Sequence, residues 1–181
     1  MIRRLFPYII FLMFILFNGQ VKSQSDLSDL SFKERVFVGG NFGLAVGNIS
    51  TFIEAAPFVG YRVTEKLSAG VGANYTYLRY NDGFFSTSLN FFGGSIFARR
   101  IITQNIFAHA EFEMLNVEPR FVQFDNRNRI WVEGLLLGGG FKQPFGENSA
   151  FITTILFNVL ESAETPYRNP IFRAGFFIGL N

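Results

Sequence analysis

The chain contains no cysteine and a single histidine, His109. The first absence excludes disulfides, thiolate catalysis, cysteine-ligated zinc and iron–sulfur clusters together. The second excludes a histidine-rich metal site, so neither a metal nor a cofactor is expected. Charge is also scarce. Lys, Arg, Asp and Glu make up 17% of residues, against roughly 25% in an average soluble domain. A formal net charge of +2 is too small for the basic footprint of a nucleic-acid binder. The 18 glycines and six prolines follow no regular period, which excludes a collagen-like repeat. What the chain has in excess is apolar and aromatic side chain: 49% hydrophobic residues, 18% aromatic, and Phe alone 25 times in 181. Such a composition excludes intrinsic disorder, and the length favours one domain.

The first segment reads as a signal peptide, residues 1–23. Arg3 and Arg4 form a basic start, and Leu5–Phe17 is apolar or aromatic apart from Pro7. That run fits the core of an export signal and is shorter than the roughly 20 residues a spanning helix needs. Val21 and Ser23 occupy the positions expected before a cleavage site at Gln24. Removal takes Arg3, Arg4 and Lys22 with it, so the net charge of +2 becomes −1. Residues 24–34 are polar and read as a short leader. No apolar run long enough for a transmembrane helix follows.

Residues 35–181 alternate with period two. Eight segments of about ten residues lie near 35–46, 51–63, 67–79, 88–99, 105–115, 130–141, 150–160 and 171–181. In the first, Val36, Val38, Phe42 and Leu44 share a face opposite Phe37, Gly39, Asn41 and Gly43. In the second, Ile53, Ala55, Val59 and Tyr61 oppose Glu54, Ala56, Phe58, Gly60 and Arg62. In the third, Val71, Ala73, Tyr75 and Tyr77 oppose Gly70, Gly72, Asn74 and Thr76. The last sets Phe172, Phe176, Ile178 and Leu180 against Arg173, Gly175 and Gly179. The fourth and sixth are apolar on both faces. A soluble sandwich alternates too, but its wet face is rich in Lys and Glu. Here the second face is rich in Gly and small polar residues, which fit the cramped inside of a narrow barrel whose apolar outside meets lipid.

Connections alternate as well. Short links fall near Thr64–Lys66, Arg100–Gln104 and Lys142–Ser149, and longer ones near Tyr80–Thr87, Asn116–Arg129 and Glu161–Pro170, with the brief Gly47–Ser50 link as the exception. Short turns at one end and longer loops at the other are the outer-membrane pattern. The longer links hold charge, including Arg120, Asp125, Arg127 and Arg129. Tyr61, Tyr75, Tyr77, Tyr80 and Trp131 fall near segment ends, as an aromatic girdle requires.

With its Gly-spaced first segment FVGGNFGLAVG, the hairpin PFVGYRVTEKLSAGVGANYTY and the closing FRAGFFIGLN, the chain resembles the outer-membrane β-barrel (porin-like) family of Gram-negative bacteria, over residues 35–181. The resemblance implies an eight-stranded antiparallel up-and-down barrel located in the outer membrane, with membrane lipid as its surroundings. It also implies a final amphipathic strand read by the barrel assembly machinery. Phe172, Phe176, Ile178 and Leu180 match that strand, while Asn181 replaces the usual terminal aromatic residue. Families of this shape include structural anchors, adhesins, channels and a few lipid-modifying enzymes, so the site must choose among them.

Two constellations bear chemistry. If the turn between the fourth and fifth segments centres on Ile102, Ser95 faces His109, with Glu111 two residues on. Those are the residue types of a nucleophile, a base and an orienting carboxylate. The alternative is that His109 is an interior polar residue satisfied by its neighbours. The second constellation is a set of interior charges. Glu54, Glu111, Glu113, Glu133 and Arg173 share interior parity in the outer half, and Arg62 and Arg99 share it toward the short-turn end. Glu113 is expected to face Glu133. A paired structural network and a proton or cation site are the two readings. With one arginine among four carboxylates, a loop residue such as Arg127 or Arg129 is expected to fold inward, or one carboxylate to hold a proton. The run Gly138–Gly140 lacks the helix start and Lys-Ser/Thr of a phosphate loop and reads as a bend in a strand. The expected role is non-enzymatic: a structural or surface-interaction barrel with a filled lumen and a possible ligand at its external loops. A narrow channel or hydrophobic-solute conduit and a lipid-modifying enzyme are the alternatives.

Overall fold

The computed structural model describes residues 31–46, 50–81, 83, 86–117, 129–160, 165, 167 and 169–180. The expected signal peptide, residues 24–30 of the leader, the loop residues Arg120, Asp125 and Arg127, the Tyr80 side chain and Asn181 lie outside the described residues. The end of the leader is a single helical turn, Phe32–Arg35, in which the Glu34 carboxylate accepts the Ser31 N–H at 2.6 Å.

Eight strands follow: β1 Val36–Val46, β2 Ser50–Arg62, β3 Leu67–Asn81, β4 Ser86–Ile101, β5 Ile106–Val117, β6 Ile130–Pro144, β7 Ser149–Asn158 and β8 Ile171–Gly179. Each pairs antiparallel with the next, and β8 closes on β1 as a barrel. No strand is thereby left at an edge, which removes the long unpaired rim an open sheet would expose. The β2–β3 ladder skips Ala56 and Pro57, where proline has no N–H to donate. The connection after β3 is tighter than the sequence suggests. The β3–β4 ladder runs out to Asn81–Ser86, and Gly83 in the turn has φ of +89°, with its N–H bonded to Asn81 Oδ1 at 3.1 Å. A left-handed backbone there is what glycine permits.

Period-two alternation sorts the side chains. Phe42, Val59, Val71, Ile96, Phe151 and Phe172 point outward and are exposed. Phe176 also points outward, half-buried against the Phe42 ring at 6.0 Å between centroids. The inward residues form three layers. Toward the short turns, Phe37, Phe58, Phe97, Phe107 and Ile152 pack together with Phe177. Toward the other end, Phe91, Leu115, Val117 and Val132 make one cluster and Leu136, Leu156 and Ile171 another, both touched by Tyr167. The charged residues lie between.

Cross-strand pairing explains how eight strands hold such large rings. Phe37 faces Gly60, Phe58 faces Gly39, Phe97 faces Gly70 and Phe107 faces Gly140. A Cβ on Gly60 would stand 2.1 Å from the Phe37 ring, and one on Gly70 would stand 2.5 Å from that of Phe97. Each glycine is the space its partner's ring fills. Gly60→Ala should therefore destabilise the barrel by about 1–3 kcal/mol, the usual penalty of overpacking. Gly94→Ala, whose Cβ would meet nothing nearer than 3.4 Å, should leave stability nearly unchanged. Urea titrations of the two variants in lipid vesicles measure the difference.

Candidate functional site

The middle layer is built around Arg173, which β8 places in the barrel's centre with 3% of its surface exposed. Its Nη1 donates to Glu111 Oε2 at 3.0 Å, and its Nη2 lies 3.5 Å from Glu113 Oε2. Its Nε stands 3.0 Å from Glu54 Oε1 but off the line of the N–H, so that link is Coulombic. One guanidinium thus answers three buried carboxylates carried by β2 and β5. Burying such charges is tolerable only when they are paired and bonded.

Neighbours supply further donors to Glu113. Asn74 Nδ2 donates to Glu113 Oε2 at 3.3 Å. Tyr167, from the connection between β7 and β8, accepts from Arg173 Nη2 at 3.2 Å and donates to the same carboxylate oxygen at 3.5 Å. Burial first, and then the adjacent carboxylate, pushes the Tyr167 phenol pKa well above its usual value. Its hydroxyl keeps its proton and stays a donor. Asn74 has the interior parity of β3 in the sequence, but Tyr167 carries no such signal, because a residue in a connection has no face.

Below this hub His109 bridges two charged groups. Arg99 Nε donates to its Nδ1 at 3.0 Å, which leaves Nε2 to carry the ring proton and donate to Glu111 Oε2 at 3.0 Å. Ser95 hydrogen-bonds to Glu111 rather than to the imidazole. The expected opposition of Ser95 and His109 is incorrect. The turn occupies Ile102–Asn105, closed by Ile102 N–H to Ile106 C=O and by Thr103 Oγ1 accepting Ile106 N–H. It therefore centres two residues later than Ile102, which pairs Arg99 with His109 and Ser95 with Glu113. The three side chains do not form a chain from nucleophile through base to carboxylate, and all three face the lumen.

The remaining expected network members divide. Arg62 lies at the short-turn mouth, half-buried. Glu133 is not interior: it is exposed on the outer face of β6, between Val132 and Gly134, which point inward. Glu113 pairs with Gly134 instead, whose missing side chain leaves room for the carboxylate; a Cβ there would come within 2.9 Å of it. The even-numbered glycines 134 and 140, opposite the Glu113 carboxylate and the Phe107 ring, are the signal that orients the strand. Arg129 does not fold inward either. It lies over the Phe92 ring at 4.6 Å and donates to the Asn116 side chain and to the Asn90 and Asn116 carbonyls on the outer face.

Among the described residues no cluster of His, Asp and Glu has the arrangement of a metal site; Glu54, Glu111 and Glu113 converge on a guanidinium. The free space beside them, lined by Asn41, Asn74, Ser95 and Glu111, is about 10 Å³. That is at the lower limit for one water molecule.

No protein-family model matches the chain, and no curated protein matches it. Among solved structures it is similar to the N-terminal β-barrel domain of Pseudomonas aeruginosa OprF. The identity is 14%, the match covers 81% of this chain and 97% of that domain, and the TM-score is 0.46.

The hub predicts an asymmetry. Arg173→Met leaves three carboxylates without their shared cation and should destabilise by about 3–5 kcal/mol, as broken buried ion pairs do. Glu113→Gln keeps an acceptor for Asn74 and Tyr167 and removes one of the competing negative charges, so its effect should stay within about 1 kcal/mol. Refolding titrations at neutral pH compare them.

Proposed function

We propose that this chain is an integral outer-membrane β-barrel protein whose role is structural or surface-interacting rather than enzymatic, and whose lumen does not conduct. One observation carries the reading: a closed eight-stranded barrel turns a continuous belt of exposed Phe, Ile, Val and Leu outward while ion pairs fill its inside. A water-soluble protein does not expose apolar surface on that scale, whereas lipid needs an apolar outside and a closed set of backbone hydrogen bonds. Short turns at 63–66, 102–105 and 145–148 then face the periplasm, with the start of β1 and the end of β8. Outward Glu133 and Trp131 lie toward the opposite rim, at headgroup depth, where a carboxylate is far less costly than at the midplane. Lipid surrounds the barrel, β8 offers the assembly machinery its amphipathic strand, and the external connections are where a ligand would dock. The non-enzymatic reading is supported by Ser95, whose hydroxyl bonds a carboxylate, and by His109, whose two ring nitrogens are both engaged.

Membrane fractionation with a heat-modifiability gel tests location. The protein should be in the outer membrane and migrate differently when folded; a soluble periplasmic pool without a mobility shift contradicts the proposal. Val71→Arg, at the middle of the outward belt, should weaken refolding into vesicles by about 2–4 kcal/mol.

Planar-bilayer recording tests the lumen. Two apolar layers and a bonded charge layer should block current. A steady cation-selective conductance that Glu113→Gln abolishes would replace the closed-lumen reading with a narrow channel.

A further inference from the structure

We infer that the short-turn end of the lumen is a binding site for a compact organic anion, a carboxylate attached to an apolar body, with Arg99 as its anchor. A vestibule of about 370 Å³ opens there, within the size range of small-molecule sites. Phe37, Phe107, Ile152 and Phe177 supply its apolar lining, and Arg62 and Lys142 add two cations. Glu65 and Glu147, in the exposed turns, are the acidic residues that line it. Three cations against two carboxylates leave the vestibule positive.

Arg99 is the observation that points to a ligand. It is 8% exposed, and it lines both this vestibule and the small central cavity. Its guanidinium carbon lies 4.7 Å from the centroids of Phe58 and Phe97 and 5.7 Å from that of Phe107. Those rings hold the fork by cation–π attraction. Of its five N–H groups only Nε donates to a described residue, to His109. The terminal amino groups have no hydrogen-bond partner among the described residues and are not enclosed by protein, so they open onto the vestibule. A planar fork fixed between rings, with its outer edge unused, matches a carboxylate in two-point contact. Arg173, the other arginine of the lumen's interior, shows the opposite case, an arginine already saturated with carboxylates. An anion entering from the short-turn mouth would set its head on Arg99 and its body against Phe37, Phe107 and Phe177.

The test is a ligand-observed ¹⁹F NMR titration of the full barrel in nanodiscs of zwitterionic lipid, with 4-fluorobenzoate as probe and 4-fluorobenzamide as its neutral isostere. The benzoate should bind saturably and at least about tenfold more tightly than the amide, the factor expected of one charge-assisted hydrogen-bond pair. Arg99→Met, checked for folding by heat-modifiability, should abolish that preference. Because Arg99→Met can fail to fold, Arg62→Gln with Lys142→Gln, at the open rim, provides a second reading and should weaken the benzoate at least about threefold while leaving the amide unchanged. Equal affinities for benzoate and amide, no saturable binding, or a folded Arg99→Met barrel that binds as before would overturn the assignment.

Discussion

The barrel's interior depends on one guanidinium. Glu54, Glu111 and Glu113 come from two strands and are buried, and among the described residues Arg173 is the single group that touches all three. Apolar clusters close the layer on either side, so the charges have little room to hydrate or separate. An exposed salt bridge contributes little because water competes for both partners. Here the partners have no alternative, and the arrangement matters through what its loss would leave behind. Asn74, Tyr167 and His109 complete it by occupying the lone pairs and protons that Arg173 cannot reach.

The architecture was legible in the sequence because it follows from alternation, which needs no knowledge of contacts. The outward positions of Phe42, Val59, Val71 and Ile178, and the inward positions of Glu54, Asn74 and Arg173, follow from parity within one strand. Registers are different, since they depend on turn geometry. A turn set two residues too early was enough to place Ser95 opposite His109 when its partner is Glu113. Glu133 departs from its expected interior place for a related reason. Its strand is apolar on both faces, with Leu135 and Leu137 outward and Val132 and Leu136 inward, so hydrophobicity alone does not orient it. Tyr167 and Arg129 belong to connections, where no periodicity operates. Their parts, inside the hub and against the outer wall respectively, come only from three dimensions.

The two arginines of the lumen show how environment divides identical side chains. Arg173 sits among carboxylates and is saturated by them. Arg99 sits among phenylalanines, and its hydrogen-bonded link to Glu111 passes through the imidazole of His109. The aromatic layer thus both plugs the barrel and lays a cation at the boundary of the open vestibule. Structure and recognition use the same rings.

The pairing of rings with glycines bears on how the strands find their partners during assembly. A slip of one residue turns every side chain to the wrong face and is rejected by lipid and lumen alike. A slip of two preserves the faces, and alternation cannot detect it. Between β1 and β2, such a slip in one direction sets Phe37 against Phe58, and in the other sets Phe37 against Arg62 rather than Gly60. Between β5 and β6 it brings Glu113 opposite Leu136 or Val132 in place of Gly134. Neither site has the empty volume a ring or a carboxylate needs. Alternation screens the odd misalignments and the glycines screen the even ones, so a barrel with few polar cross-links still has a single alignment.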